Sequence, residues 1–205
     1  LQLFRAHQRM QADYQTLAES VAGEERLKAL HGAQFPYEDV RDFFYRRNNH
    51  IDALDRAAEQ LFEAEGFSVD NLQQDLTTYL KSKHDICIRL ADQERGNGLL
   101  KRYDPATRIL YLSKPSSPAW RSFHIAHQLA LLLYQDLIDQ EVEQAGLGST
   151  AARALCRVAL ANYFAGALLM PYRRFLDDAR KLRYDIERLC GFYGTSFEQV
   201  CHRLS

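Results

Sequence analysis

The chain has 205 residues, of which 46% are hydrophobic and 26% are charged, and its formal net charge is -1. A chain of this length and composition is expected to fold as a globular protein with one sizeable core, or with one core and a helical appendage. The near-neutral charge argues against this chain as the main DNA-binding part of a protein, because non-specific DNA affinity requires an excess of basic residues.

The cysteines and the chain ends indicate the setting in which the chain works. None of the four cysteines forms a CxxC motif, so we expect free, buried thiols and a cytoplasmic location. The longest apolar stretch, around Val158 to Tyr172, is too short and too interrupted for a membrane span, and no membrane partner is expected. The chain begins at Leu1 and stops at Ser205 just after a helical pattern, so we expect it to be part of a longer protein. The four cysteines are Cys87, Cys156, Cys190 and Cys201.

The first third of the chain has the pattern of amphipathic helices. Apolar residues at three-, four- and seven-residue steps predict a first helix that runs from about Leu3 to Gly23. A polar linker leads to Pro36, which opens a long helix predicted to end near Gly66. Its inward face carries Val40, Phe43, Phe44, Ile51, Leu54 and Leu61. Its other face carries Arg41, Arg46, Arg47, Asn48 and Asn49.

A small sheet is predicted in the middle of the chain. A third helix, capped by Ser68, is followed by the alternating segment His84 to Leu90, which has the period of a strand. The segments Leu99 to Tyr103 and Ile109 to Ser113 then flank the sequence DPAT, which is typical of a β-turn. These two segments are predicted to form a hairpin.

The remainder is predicted to be helical. Ser117 and Pro118 form an N-cap followed by proline at the first helical position. Ser149 caps another helix, which runs to Pro171, and the sequence GTS at positions 194–196 separates the last two helices. The helix after Ser117 is predicted to carry Phe123, Ala126, Ala130, Leu131, Tyr134 and Leu137 inward. The predicted fold class is α+β, mainly helical with a small, three-stranded sheet.

Two helical segments carry a resemblance to a known family. The sequence FHIAHQLALLL at 123–133 follows the hairpin, and ANYFAGALLMP at 161–171 ends a later helix. This order resembles the ImmA/IrrE-type zinc metallopeptidase domain, in which a hairpin precedes a helix of the form AHExxHxLL. The closing helices from Leu189 to Leu204 are similar to the helix-turn-helix-like pair that ends that domain. The resemblance covers roughly residues 84–205.

The zinc chemistry that this resemblance implies needs residues that the chain has lost. Active members need two histidines one turn apart, a glutamate beside the first, and an acidic ligand on the later helix. The first histidine is retained as His127, but Gln128 replaces the glutamate and Leu131 the second histidine. Leu160 stands just before the AN sequence, where the acidic ligand would be. We therefore expect a degenerate peptidase domain with no metal and no enzyme activity.

Other catalytic readings of these residues remain weaker alternatives. His124 and His127 are three residues apart, but two imidazoles without a third ligand bind zinc weakly. We therefore favour one core-facing and one cleft-lining histidine over a new metal site. A cysteine nucleophile is also disfavoured, because no cysteine has a base nearby in the sequence.

A second resemblance is dispersed over nearly the whole chain. The segment Pro36 to Glu59, and shorter segments near Arg102, Leu160, Pro171 and Arg183, resemble short-chain fatty acyl-CoA-responsive regulators of the RamB/PrpR group. The resemblance implies a longer protein with an N-terminal helix-turn-helix DNA reader, this middle part, and a cysteine-rich C-terminal region. In some members that last region carries an iron–sulfur cluster, whereas no cofactor is expected within this chain.

The ligand that this resemblance implies is CoA or an acyl-CoA. Guanidinium groups suit its phosphates, and a flat ring suits its adenine. The alternative for the basic helix is a solvated face paired with its own acidic residues. We expect residues 1–83 to form a helical region with a CoA-binding helix and residues 84–205 to form the sensing domain. The predicted ligand residues are Arg41, Tyr45 and Arg46 on the helix, and Tyr103, His124, His127, Tyr163, Tyr172 and Arg173 around the former peptidase cleft.

Three functions stay open at this point. The first is an acyl-CoA sensor in a transcription regulator of short-chain fatty acid metabolism. The second is a divergent metallopeptidase that uses His127, and the third is a nucleic-acid binder that uses the closing pair from Phe192 to Leu204. We favour the first, because the ligands for the second are missing and the pair needed for the third has only His202 and Arg203 as basic residues. A homo-oligomer is also left open.

Overall fold

The computed structural model describes residues 36–91 and 101–205. The predicted helix from Leu3 to Gly23 and the start of the predicted hairpin lie outside these residues. The described residues form two compact units, one of residues 36–50 and 138–160 and the other of residues 51–91, 101–137 and 161–205. The predicted division into 1–83 and 84–205 stays a prediction.

Helices predominate, and a small sheet completes the α+β fold. In chain order the α-helices are α1 (Pro36–Arg46), α2 (Asp52–Ala64), α3 (Leu72–His84), α4 (Pro118–Leu133), α5 (Gln135–Gln144), α6 (Thr150–Leu169), α7 (Tyr172–Lys181), α8 (Ile186–Tyr193) and α9 (Phe197–Leu204). The strands are β1 (Cys87–Ala91), β2 (Lys101–Asp104) and β3 (Ile109–Ser113). The predicted fold class is confirmed.

The single long helix predicted from Pro36 to near Gly66 is wrong. Asn48 and Asn49 adopt left-handed backbone conformations with φ of 50° and 53°, and they separate α1 from α2. The N–H of Asn49 donates to the carbonyl of Phe44 at 2.9 Å and closes the end of α1. Asparagine tolerates this conformation better than most residues. Apolar residues recur at helical spacing on both sides of the break, so periodicity alone does not reveal it.

The sheet has the strand order β1-β3-β2, with β3 parallel to β1 and antiparallel to β2. The predicted hairpin is confirmed, and Asp104 caps its turn by accepting from the N–H of Ala106 at 3.0 Å. The first strand begins at Cys87, three residues later than predicted. His84 still belongs to α3, and Asp85 then leaves the helix with a φ of 51°.

The hairpin register places Lys101 and Tyr103 on one face of the sheet. Lys101 pairs with Leu112 and Tyr103 with Leu110, and both leucines are buried. Residues on alternate strand positions share a face, and directly opposed residues share it too. Lys101 and Tyr103 therefore point to the apolar side of the sheet.

Helix α4 begins and ends at defined signals. The Ser117 side chain accepts from the N–H of Trp120 at 3.2 Å, which confirms the predicted N-cap. The helix ends at Leu133, so the prediction that it carries Leu137 is wrong. Of the residues predicted to face inward, Ala126 and Ala130 are buried, whereas Phe123, Leu131, Tyr134 and Leu137 are only half-buried. The buried residues are the continuous run from Ile125 to Ala130, so α4 is covered on more than one side.

The later helix boundaries match the sequence signals closely. Ser149 accepts from the N–H of Ala152 at 3.0 Å and caps α6, as predicted. Gly194 ends α8 with a φ of 58°, a conformation that favours glycine. Ser196 then starts α9 with a reciprocal capping box that involves Gln199. Ser68, by contrast, precedes a one-turn 3₁₀ helix (Val69–Asn71) and makes no side-chain cap, so its predicted role as the cap of α3 is wrong.

The four cysteines are free, but they are not equally buried. Cys156 is buried, and burial raises the pKa of its thiol to about 11. The other three are half-buried, so the prediction of buried thiols is correct only for Cys156.

Helix length and apolar composition bear on whether a segment can cross a membrane. In the described ranges, no helix is long and apolar enough by itself to cross a bilayer. Helices α6 and α7 pass the length and composition test only when they are taken together across the bend between them.

Candidate functional site

A lysine and a histidine meet between β2 and α4 in the second unit. The Lys101 Nζ lies 2.7 Å from the Nδ1 of His127. His127 is only 5% exposed and the neighbouring Gln128 only 7%. Lys101 was not among the predicted site residues, and its contact is the main addition that the structure makes to the site.

Burial controls the charges in this cluster. Burial lowers the pKa of Lys101 to about 8. Burial also lowers the pKa of His127 to about 2 and that of His124 to about 3, and the charge of Lys101 adds to both shifts. At neutral pH both histidines are therefore neutral, while most Lys101 side chains keep their proton.

The lysine fixes the tautomer of His127. An ammonium group can only donate hydrogen bonds, so Nδ1 of His127 must accept from it. The imidazole proton then resides on Nε2, and neither ring nitrogen has a free lone pair. A zinc ion requires such a lone pair from each histidine ligand.

The residues around His127 do not fit a zinc ion. The amide of Gln128 cannot serve as the general base, and the side chain of Leu131 has no ligand atom. In residues 36–91 and 101–205, no three His, Cys, Asp or Glu side chains come together in a group that could hold a metal. The donor set therefore does not fit the zinc site of an active metallopeptidase.

His124 lies one turn before His127, in aromatic surroundings. Its ring is 4.0 Å from that of Trp120 and 5.4 Å from that of Phe123, measured between centroids. Its Nδ1 is buried and has no hydrogen-bond partner among the residues that the structure describes. Such an orphaned polar atom is unusual in a folded protein, because it costs desolvation free energy.

Comparison with known proteins assigns this arrangement to a family. Residues 81–205 match the model of the IrrE N-terminal-like domain, Peptidase_M78. This chain belongs to the Peptidase_M78 family. The start of the match agrees closely with the limit of about residue 84 predicted from the motifs.

The chain is also similar to named transcription regulators. It is 44% identical over 170 residues to the HTH-type transcriptional regulator RamB of Mycobacterium tuberculosis, and 44% identical to the HTH-type transcriptional regulator PrpR of the same species. It is 38% identical to the propionyl-CoA carboxylase regulator of Cereibacter sphaeroides. Each alignment covers 83% of this chain but only 35% or 36% of the relative. The chain thus spans little more than a third of their length.

A solved structure supports the same relationship. The structure of a Mycobacterium tuberculosis transcriptional regulator superposes with a TM-score of 0.80 at 44% identity. The superposition covers 83% of this chain and 52% of that one. The Peptidase_M78 fold is thus found here in a chain whose similar proteins are named as regulators.

A buried polar network contains Tyr163, one of the predicted ligand residues of this Peptidase_M78 chain. The Tyr163 hydroxyl donates to Asp55 Oδ2 at 2.5 Å and accepts from the N–H of Ile51 at 3.0 Å. Arg203 donates to the other oxygen of Asp55 at 2.5 Å, and both side chains of this ion pair are 8% exposed. Burial and the bond to Asp55 raise the pKa of Tyr163 well above its usual range. Tyr163 therefore stays protonated and connects α6 to the start of α2.

Tyr172 and Arg173 lie near this network, at the start of α7. The Arg203 guanidinium lies 5.2 Å from the centre of the Tyr172 ring. The N–H of Arg173 donates to the carboxylate of Glu59 at 2.9 Å. A cavity of about 500 Å³ is lined by Arg56, Glu59, Gln60, Glu63 and Arg173. Its wall carries charges of both signs.

The three predicted ligand residues of the first unit lie on α1 and are exposed. Tyr45 is 81% exposed, and Arg41 contacts its neighbour Asp42 at 3.1 Å. Tyr37, which the sequence reasoning missed, is 48% exposed and stands four residues before Arg41. Residues four apart share a helix face, so Tyr37, Arg41 and Tyr45 form an exposed stripe, which we call the α1 stripe. The ion pair with Asp42 is also what the solvated-face alternative predicts, so both interpretations stay open.

The nine predicted ligand residues are thus divided between the two units. Arg41, Tyr45 and Arg46 belong to the first unit, and the other six belong to the second. His124 and His127 are neighbours, with ring centroids 6.1 Å apart, and Tyr103 shares a sheet face with Lys101. Whether these residues contact a ligand stays a prediction. The one signal for Lys101 was its place two residues before Tyr103 in an alternating strand.

Proposed function

We propose that this chain is the ligand-sensing part of a transcription regulator of short-chain fatty acid metabolism, and that its ligand is CoA or a short-chain acyl-CoA. The names of the similar proteins support the regulatory part of the proposal, since each is called a regulator. The printed name of one of them includes propionyl-CoA carboxylase. The assignment of the ligand rests on the contact of His127 with Lys101 and on the exposed residues of α1.

The contact between Lys101 and His127 carries the proposal. The contact occupies the lone pair that the retained histidine would offer to zinc, while the chain still has the metallopeptidase-like fold. A fold that retains its shape without its chemistry is suited to binding rather than to hydrolysis. We therefore propose a sensor that has no enzymatic activity.

The α1 stripe is the proposed contact for the nucleotide end of the ligand. Arg41 offers a guanidinium that can bind a phosphate through two parallel hydrogen bonds. Tyr37 and Tyr45 present exposed rings on either side of it along the helix, and a purine can stack on such a ring. Arg46 stands beside Tyr45 as a further cation.

Further partners belong to the longer protein that we propose. Its DNA-binding part would be a helix-turn-helix segment, in keeping with the names of the relatives. Any iron–sulfur cluster would lie in a C-terminal region beyond this chain. We propose the cytoplasm as its location.

Isothermal titration calorimetry with CoA and propionyl-CoA tests the proposed ligand. We expect binding to both, and at a hundredfold excess over the dissociation constant the ligand should stabilise the chain by about 2.7 kcal/mol. Arg41→Ala should weaken the binding of both compounds to a similar extent, because they share the phosphates. Tyr45→Ala should weaken binding, whereas Tyr45→Phe keeps the ring and should bind normally.

Arg180→Ala is the matched control for Arg41→Ala, since Arg180 is also an exposed arginine on a helix. It should leave the affinity unchanged. If no CoA compound gives binding heat with the unmutated protein, the ligand assignment is wrong. If Arg41→Ala binds normally, only the assignment of the α1 stripe is wrong.

A further inference from the structure

Lys101 is a mostly buried cation without a counter-ion among the residues that the structure describes. Its Nζ contacts Nδ1 of His127, and no carboxylate of those residues lies within ion-pair distance of it. Burying a charge is costly unless it is paired with an opposite charge or a strong dipole. A neutral imidazole satisfies only one of the three N–H donors of an ammonium group. Two donors therefore remain for another acceptor.

His124 provides a second, independent sign of a missing partner. Its Nδ1 is buried and makes no hydrogen bond to any described residue. It lies on the same helix as His127, one turn earlier, with the two ring centroids 6.1 Å apart. Half-buried rings of Trp120 and Phe123 flank it and provide apolar contact area. The cluster thus combines unused polar atoms with a small aromatic surface.

We infer that Lys101, together with His127 and His124, forms a binding site for the carbonyl end of a short acyl group. The ammonium would donate to an acyl oxygen, and the rings of Trp120 and Phe123 would contact the short alkyl chain. An active Peptidase_M78 member would hold zinc at the histidine that corresponds to His127, so a lysine takes over the role of the cation here. Sequence motifs do not show this site, because Lys101 is not part of the peptidase signature.

Two ligand classes share this chemistry. One is a free short-chain carboxylate, whose charge would neutralise the ammonium directly. The other is the thioester carbonyl of an acyl-CoA, which offers a dipole instead. The second rests on the proposed function, whereas the first does not.

Thermal-shift and titration measurements on Lys101→Met separate these cases. Methionine has a similar volume, and replacing a buried charge with an apolar side chain is often tolerated. Lys181→Met is the matched control, because Lys181 is exposed on α7. Lys101→Gln serves as a second variant if Lys101→Met does not fold. The probes are sodium propionate, CoA and propionyl-CoA.

We expect propionate to raise the melting temperature of the unmutated protein and of Lys181→Met, but not of Lys101→Met. We also expect propionyl-CoA to bind the unmutated protein about tenfold or more tightly than CoA, as one charge-assisted hydrogen bond allows. That ratio should approach one in Lys101→Met. Either result supports the site and identifies which class of ligand it accepts.

The inference fails if Lys101→Met changes neither the stabilisation by propionate nor the ratio of the affinities for propionyl-CoA and CoA. If CoA and propionyl-CoA then bind equally well to all variants, the proposed function survives without this site. If propionate acts through Lys101 but neither CoA compound binds, this site survives and the proposed CoA ligand is wrong.

Discussion

The Nζ of Lys101 lies 2.7 Å from Nδ1 of His127 and links β2 to α4. This contact involves the one histidine that the chain retains from the metallopeptidase signature. In this chain that histidine contacts a side-chain cation.

The purified chain should hold no stoichiometric zinc. His127 presents no free lone pair while Lys101 is protonated, and Gln128 and Leu131 supply neither the base nor the second histidine ligand. Elemental analysis after dialysis should give well below one zinc per chain. Lys101→Met should also bind no zinc, because the other ligands are still missing. Zinc near one equivalent, lost on chelation together with folded structure, would restore the enzyme interpretation.

The stability of the fold should decrease in mild acid. Both histidines are neutral in the folded protein, because burial lowers the pKa to about 3 for His124 and to about 2 for His127. In the unfolded chain they take up protons below about pH 6.5, so the unfolded state binds more protons between about pH 6.5 and 3. Stability therefore rises with pH in this window, by up to about 1.4 kcal/mol per pH unit for each histidine. The lowered pKa of Lys101 affects the pH dependence of stability only above about pH 8.

Urea unfolding at several pH values tests this dependence. His124→Phe keeps an aromatic ring beside Trp120 and removes one titrating group, so the slope should become shallower. His202→Gln is the control, because His202 is exposed on α9. An unchanged slope in His124→Phe would contradict a neutral, buried His124.

The ion pair between Asp55 and Arg203 should be important for the stability of the second unit. Both side chains are buried, so Arg203→Met removes the cation that neutralises the buried Asp55 carboxylate and should cost about 3–5 kcal/mol. Tyr163→Phe removes the hydrogen bond to Asp55 and the one accepted from the N–H of Ile51, and it should cost about 1–3 kcal/mol. Arg56→Met breaks an exposed pair with Asp52 and should cost less than about 1 kcal/mol. Equal effects of Arg203→Met and Arg56→Met in urea titrations would show that burial of the pair is unimportant.

Sequence signals defined most of the fold because many of its boundaries are local. Ser117, Ser149 and Ser196 each cap a helix through their own side chain, so a few adjacent residues determine the boundary. The break at Asn48 and Asn49 was missed because asparagine also occurs within helices. Its backbone conformation depends on contacts that the apolar pattern does not report.

The site was harder to predict than the fold, because it depends on contacts between distant residues. Lys101 and His127 are 26 positions apart, and Asp55 and Arg203 are 148 apart. No motif connects either pair. Knowledge of the family pattern identified His127 and its missing partners, but it did not indicate what had replaced them.

The chain alone should not bind duplex DNA selectively. Its net charge is -1, and its closing pair of helices, α8 and α9, offers few basic residues. Of these, Arg203 is buried against Asp55 and is not available to a phosphate. Gel-shift titrations at physiological salt should show weak binding that does not depend on sequence. Tight, selective binding by residues 1–205 would favour the nucleic-acid interpretation.

Native mass spectrometry is the most direct test of a CoA-sensing chain. The purified protein would be mixed with equal concentrations of CoA, acetyl-CoA and propionyl-CoA, and its intact mass would be recorded. The proposed function predicts a species heavier by one CoA compound, and this species should be reduced in Arg41→Ala but not in Arg180→Ala. A spectrum that contains only the unliganded chain, under conditions that preserve its fold, would contradict the proposal.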